Sequence, residues 1–219
     1  MQELLILFLY HALDATTKAH FEKLQALHSE YQIVPIAYRF QGDELLPGTV
    51  DVGLEPDHGW PIERVWREVD KVYLRWYLGS QRPKAKRYVF FEYDILANCA
   101  AASFFGPTWN SPVAVARIKT PDSNPGWPWW GDVSELGAAS EYRCGVLPLA
   151  ATLWSDEALA AIAHSRLLQS CFCELRMGTL AKMYGFEPQV IPGAERTISW
   201  KSDRIQVTDE LTWFHPVKG

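Results

Sequence analysis

The chain has 219 residues, of which 48% are apolar and 21% charged, with a formal net charge of −5. Such a length and composition support a full hydrophobic core and exclude a disordered chain. The acidic balance argues against a nucleic-acid partner, which needs a basic surface. The four cysteines, Cys99, Cys144, Cys171 and Cys173, show no CxxC spacing, so they read as reduced thiols rather than a disulfide framework or zinc knuckle.

Residues 4–10 are continuously apolar, but Glu3 stands where a signal peptide carries positive charge, and the run is too short to cross a bilayer. A buried first strand of a parallel sheet is expected, in a cytoplasmic protein without a transmembrane segment. Asp14 or Thr16 can cap a helix in which Phe21, Leu24, Leu27 and Tyr31 recur at near-helical spacing. Residues 32–38 read as a second strand, completing a βαβ opening. Residues 41–59, rich in Gly, Pro and Asp, read as a loop. Pro61 suits a first helical turn, and Ile62, Val65, Trp66, Val69, Tyr73 and Trp76 form a stripe that ends near Gly79.

Residues 88–94 form an apolar β-type run, and residues 95–98 behind it are expected to be helical. A strand over 113–118 precedes a Pro- and Trp-rich loop over 121–137, and 145–149 reads as a short extended segment. Ser155, followed by Asp156 and Glu157, caps a helix through about Leu168. A last helix from about Cys173 stops at Gly185, and 186–191, with Pro188, reads as an edge strand. The tail, 204–214, has β character. With no repeats and no separating linker, residues 1–219 read as a single domain.

Four features carry candidate chemistry. Glu92 and Asp94 stand i, i+2 at the carboxyl end of a strand, where α/β sheets bind ligands. Such a pair can hold a divalent metal against a phosphate-bearing ligand; the alternative makes Asp94 a helix cap and Glu92 a solvated charge. His215, restrained by Pro216, would make a mixed carboxylate–imidazole set suited to Mn²⁺, or else is a solvated terminal histidine. Lys218 could meet a phosphate as a point charge. Trp127, Trp129 and Trp130 present flat rings suited to the apolar faces of sugars, with Asp132 beside them to orient a hydroxyl. The competing account is a satellite core or an oligomer contact. Glu174, in the first turn of the last helix, is either favoured by the macrodipole or a general base for a hydroxyl acceptor.

Taken in order, these residues resemble the GT-A nucleotide-sugar glycosyltransferases. Glu92-Tyr93-Asp94 stands where such enzymes carry their DxD-type motif. The stretch 173–186, Cys-Glu-Leu-Arg-Met-Gly-Thr-Leu leading to Tyr184-Gly185-Phe186, is similar to the family's acidic helix start and small-residue turn. Phe214-His215-Pro216-Val217-Lys218 resembles its C-terminal metal histidine. The resemblance implies an α/β fold with a mostly parallel central sheet flanked by helices, and transfer of a sugar from a nucleoside-diphosphate sugar to a hydroxyl acceptor, a glycan or lipid-linked sugar.

It further implies Mn²⁺ or Mg²⁺ on Asp94 and His215, with Tyr10, His11, Asp14, Glu92 and Lys218 at the nucleotide end. Trp127, Trp129 and Trp130 would hold the carbohydrate acceptor, and Glu174 or Asp132 would take its proton. A second copy of the chain is a further contributor to the acceptor region. Two departures stand out: the second strand ends in Tyr38-Arg39-Phe40 without an acid, and the first acid of the motif is Glu. A Walker A loop and a GxSxG elbow are both lacking, which argues against NTPase and hydrolase readings. The first strand is followed by no glycine-rich basic loop, against a sugar nucleotidyltransferase. The alternative from another class is a non-catalytic carbohydrate-binding or assembly module on the same fold.

Overall fold

The computed structural model describes residues 1–38, 44–52, 62–167, 171–200 and 205–217. Strand β1 (Gln2–Tyr10) lies in the interior of a seven-stranded sheet and is buried from Leu4 to Tyr10. Its alternate side chains face two different cores. Leu5, Leu7 and Leu9 pack towards one group of helices, and Leu4, Ile6, Phe8 and Tyr10 towards another. A strand covered on both faces reads as an unbroken apolar run, because neither face has to be polar.

Helix α1 (Ala15–Leu27) begins at Asp14, whose Oδ1 accepts the Thr17 amide at 2.7 Å. Strand β2 (Gln32–Ala37) then pairs parallel to β1, with β3 (Val50–Asp51) beyond it at the sheet edge. On the other core face, α2 (Ile62–Leu78) buries Tyr73 and Trp76, and Tyr73 stacks on Phe90 at 4.0 Å between centroids. Strand β4 (Ala85–Glu92) lies parallel to β1 on its other side, in the register Leu9↔Glu92.

Beyond β4 the structure departs from the sequence expectation. Residues 95–98 are not helical. Leu96–Ala97 is a short strand, β5, paired antiparallel with β11 (Trp213–Phe214), and helix α3 (Ala101–Phe105) begins later. The run 113–118 also divides. Strand β6 (Val113–Val115) enters the main sheet, whereas β7 (Arg117–Lys119) pairs antiparallel with β8 (Gly145–Leu147) in a separate ribbon. The Trp-rich loop continues as a 3₁₀ segment over Pro128–Tyr142.

Strand β9 (Thr152–Ser155), unanticipated from the sequence, runs antiparallel between β4 and β6. Ser155 then caps α4 (Asp156–Ala163), accepting the Ala158 amide. Helix α5 (Cys173–Met183) ends where Gly185 takes a φ of +84°, and β10 (Gln189–Val190) closes the sheet beside β6. The sheet order is β10-β6-β9-β4-β1-β2-β3, and only the two pairings of β9 are antiparallel. The α/β class with a mostly parallel central sheet flanked by helices is therefore as expected. The C-terminal tail is extended only at β11. All four cysteines are free and buried. Among the described residues no helix is long and apolar enough to cross a membrane.

Helix α5 is clamped to α2 by a buried ion pair. Arg176 Nε donates to Asp70 Oδ2 at 2.7 Å, and a second guanidinium nitrogen reaches Oδ1. The remaining guanidinium donors meet the carbonyl oxygens of Cys171 and Arg67. On the opposite side Gly178 lets α5 approach β8 closely, since a Cβ there would stand 2.2 Å from Cys144 O. Removing one partner of a buried pair strands the other charge. Arg176→Met is accordingly expected to lower the unfolding free energy by about 3–5 kcal/mol, read as a lower urea midpoint at unchanged slope. A loss below about 1 kcal/mol, the range of exposed pairs, would show that the pair is no clamp.

Candidate functional site

Because β1, β2 and β4 are mutually parallel, their carboxyl ends open on one edge of the sheet. Glu92 and Asp94 sit there, with Asp94 7% exposed. The Tyr93 amide between them donates to Leu9 O at 2.9 Å, which fixes the strand end against β1. The C-terminal segment completes the cluster. The β11–β5 pairing brings the chain back, the His215 amide donates to Thr197 O, and the Val217 amide donates to Asp94 O at 2.7 Å. The His215–Pro216 peptide is cis.

The His215 imidazole lies 2.7 Å from Ser199 O through Nδ1. A carbonyl can only accept, so Nδ1 carries the proton and Nε2 is left for the acidic side, 3.3 Å from Asp94 Oδ1. One donor atom each from Glu92, Asp94 and His215 lie within 4.8 Å of one another. Asp94 Oδ1 is buried, and among the described residues its contact is with His215 Nε2, which can donate to it only while the imidazole is protonated. Buried polar atoms are nearly always satisfied. A buried carboxylate oxygen left without a donor once the imidazole is neutral, beside that Nε2 and a second carboxylate, is a donor set that fits a divalent ion of the Mn²⁺ or Mg²⁺ kind.

The electrostatics agree. Burial, then the charge of Asp94, push the Glu92 carboxyl up to about 7, with His215 acting in the opposite sense. Burial alone would lower the His215 pKa, but its bond to Asp94 and the charges of Asp94 and Glu92 outweigh that and raise it. Burial and the same two carboxylates push the Tyr93 phenol to about 12.

Beside this cluster a cleft of about 240 Å³ is lined by Arg117, Lys119, Trp127, Trp129, Ser199 and Trp200, among others. Ser199 thus belongs to the cleft wall while its carbonyl orients His215. Trp129 stacks on Phe172 at 4.5 Å and 6°, and Phe172 lies at 5.8 Å and 25° to Trp200. Trp127 and Trp129 are partly exposed towards the cleft. Trp130 is buried, with Nε1 donating to Asn124 O, and packs in the core instead.

Asp132 accepts from Arg67 and from the Phe172 amide, which ties the tryptophan segment to the start of α5. Glu174 is 3% exposed. Its Oε1 accepts both the Leu149 amide and Trp200 Nε1 at 3.1 Å, while Oε2 is buried without a partner among the described residues. Burial drives its pKa well above the usual carboxylate range.

Of the expected nucleotide-end residues, Tyr10, His11 and Asp14 follow β1 or end it at the same sheet edge as Glu92. Tyr10 is buried, and its hydroxyl meets Thr49 Oγ1 and the Leu46 amide. His11 is exposed and meets the Tyr93 ring edge-on at 4.5 Å. Asp14 serves as the α1 cap, and its bond to the Thr17 amide holds its pKa below the usual range. Lys218 lies outside the described residues. Arg117, Lys119, Ser199 and Trp200 were not singled out in the sequence. Only the alternation of Arg117 and Lys119, which puts both on one face of a strand, could have flagged any of them.

No protein-family model and no curated protein matches the chain. Among solved structures it is similar to a galactosyltransferase, LgtC, crystallised with donor and acceptor sugar analogs, at 11% identity and a TM-score of 0.46 over 82% of this chain and 70% of that one.

A group whose folded-state pKa is raised holds its proton more tightly when folded, so stability declines as pH rises through the interval between its unfolded and folded values. Glu92 acts in this sense from about pH 4.5 to about pH 7, and His215 from about pH 6.5 upward. The metal-free protein is expected to lose thermal stability between about pH 4.5 and about pH 7, and Glu92→Gln to flatten that decline. Added Mn²⁺ should raise the melting temperature more at higher pH, because its ligands must be deprotonated. Melting curves with and without Mn²⁺ across this range check both, and a pH-independent Mn²⁺ effect would count against the cluster as ligand.

Proposed function

We propose that the chain is a metal-assisted glycosyltransferase that takes a sugar from a nucleoside-diphosphate donor to a hydroxyl acceptor. The observation that carries this reading is the convergence of the buried Asp94 Oδ1 with Glu92 and His215 Nε2 at the carboxyl edge of the sheet. A divalent ion on Asp94 and His215 supplies charge neutralisation for the diphosphate leaving group. Ser199 O keeps His215 in the tautomer that presents Nε2 to that position. Glu92 adds negative charge beside it, and His11, edge-on to Tyr93 at the same sheet edge, lies within the reach of the nucleotide end.

The acceptor lies in the cleft between Trp129 and Trp200. Glu174 takes the proton from its hydroxyl as the new glycosidic bond forms and the bond to the diphosphate breaks. Its Oε2, without a partner among the described residues, is the oxygen left to receive that proton, and burial raises its affinity for it. Asp132 is bonded to Arg67 and the Phe172 amide, and its role in this reading is to hold the tryptophan segment.

Calorimetric titration of UDP, then GDP, with and without Mn²⁺ tests the donor site: saturable binding that needs the metal is expected, and Asp94→Asn should abolish it. Absence of binding by either nucleotide would sink the transferase reading in favour of a carbohydrate-binding module. For the base, Glu174→Gln keeps an acceptor for Leu149 and Trp200 and is expected to lower kcat by about 10²–10⁴-fold with little change in KM. Unchanged kcat would remove Glu174 from the chemistry.

A further inference from the structure

Two cations of the cleft form no ion pair among the described residues. Carboxylates outnumber Lys and Arg by 26 to 21 in this chain, and several basic side chains find one, as Lys18 does with Glu44, Arg67 with Asp132, Arg87 with Glu3 and Lys182 with Glu187. Among the described residues Arg117 and Lys119 form no ion pair. They occupy alternate positions of β7 and line the same cleft. Arg117 makes only a long 3.5 Å contact to Glu195 O, and the Lys119 ammonium stands 4.8 Å from the Trp127 ring centroid. Glu174 is near enough for its charge to act on Lys119, but its bonded oxygen is turned to Leu149 and Trp200.

The aromatic side of the cleft is organised for a flat ring. Phe172 lies against both Trp129 and Trp200 at small interplanar angles, so the two indoles are held in similar planes. Trp200 is 46% exposed, an unusual state for so large an apolar surface, and its Nε1 is anchored by Glu174. Indole faces beside two unpaired cations match a ligand with an apolar ring face and a negative charge.

Resting on the transferase reading for its position next to the donor, we propose that the acceptor in this cleft is an anionic sugar. Its ring lies against the exposed Trp200, since Trp129 is already covered by Phe172 and Arg67, and its carboxylate or phosphate is received by Arg117 and Lys119. A hydrogen bond to a charged group contributes about 1.5–3 kcal/mol, which corresponds to a preference of about tenfold or more over a neutral sugar. The preference should shrink as salt is raised, since the cleft is open to solvent.

The test is a titration of the full chain, followed by tryptophan fluorescence, with methyl glucuronide, glucose 6-phosphate and methyl glucoside, and separately with UDP and Mn²⁺. Expected is binding of one or both anionic sugars about tenfold tighter than the neutral one. Arg117→Gln and Lys119→Met should each lose that preference, and Lys119→Arg should keep it. Which anion binds tighter identifies a uronate or a sugar phosphate as the charge source. Equal affinity for all three sugars, with Mn²⁺-dependent UDP binding intact, overturns this inference and leaves the transferase reading standing. Loss of UDP binding in Lys119→Met, with UDP displacing the anionic sugar, also overturns it, because the cations would then serve the donor diphosphate. A preserved anionic preference without any UDP binding supports the cleft chemistry and sinks the transferase reading instead.

Discussion

The docking of the C-terminal segment onto the end of β4 is the constraint on which the site depends. Trp213 is fully buried, stacked on Phe104 at 4.4 Å and edge-on to Phe91, and its Nε1 donates to Cys99 O at 2.8 Å. An indole buried with its polar edge satisfied combines a large hydrophobic contribution with a fixed orientation. That anchor sets the two residues that follow: His215 falls beside Asp94, and the Val217 amide bonds the Asp94 carbonyl. Without it, Glu92 and Asp94 would be two carboxylates at a sheet edge with no imidazole between them.

The second site component is held by a different device. The Asp70–Arg176 pair, buried between α2 and α5, has every guanidinium nitrogen bonded to protein. A buried ion pair offsets its desolvation only when its remaining hydrogen bonds are satisfied in this way. The clamp orients the first turn of α5, from which Glu174 reaches Leu149 and Trp200, and Asp132 bonds the amide of Phe172 just ahead of it. The tryptophan segment, the helix start and the residue-200 region are therefore tied together around the cleft.

The two components meet at residues 199 and 200. Ser199 turns its carbonyl to His215, and Trp200 turns its indole to Glu174. A metal-type cluster and an aromatic, cationic cleft thus share one short stretch of backbone. The proposed reading of a donor position beside an acceptor position rests on that adjacency, where the cluster alone would suggest only cation binding and the cleft alone only sugar binding.

Local physics was legible in the sequence. The apolar run of β1, the Asp14 and Ser155 caps, the α2 stripe through Tyr73 and Trp76, and the Gly185 stop all express short-range rules of burial, hydrogen bonding and backbone freedom. So did the residue types of Glu92, Asp94 and His215, because carboxylates at a strand end and a histidine after an aromatic pair are visible as letters. Other features were settled by contacts between distant residues. Residues 95–98 extend because the tail offers Trp213 and Phe214 as a pairing partner, and 113–118 splits because β8 captures its second half. Strand β9 escaped notice because Ala151 makes its turn at a φ of +59°, with no glycine to mark it. The roles of Arg117, Lys119, Ser199 and Trp200 depend on which distant side chains they meet or lack, and that is decided only when the chain closes on itself.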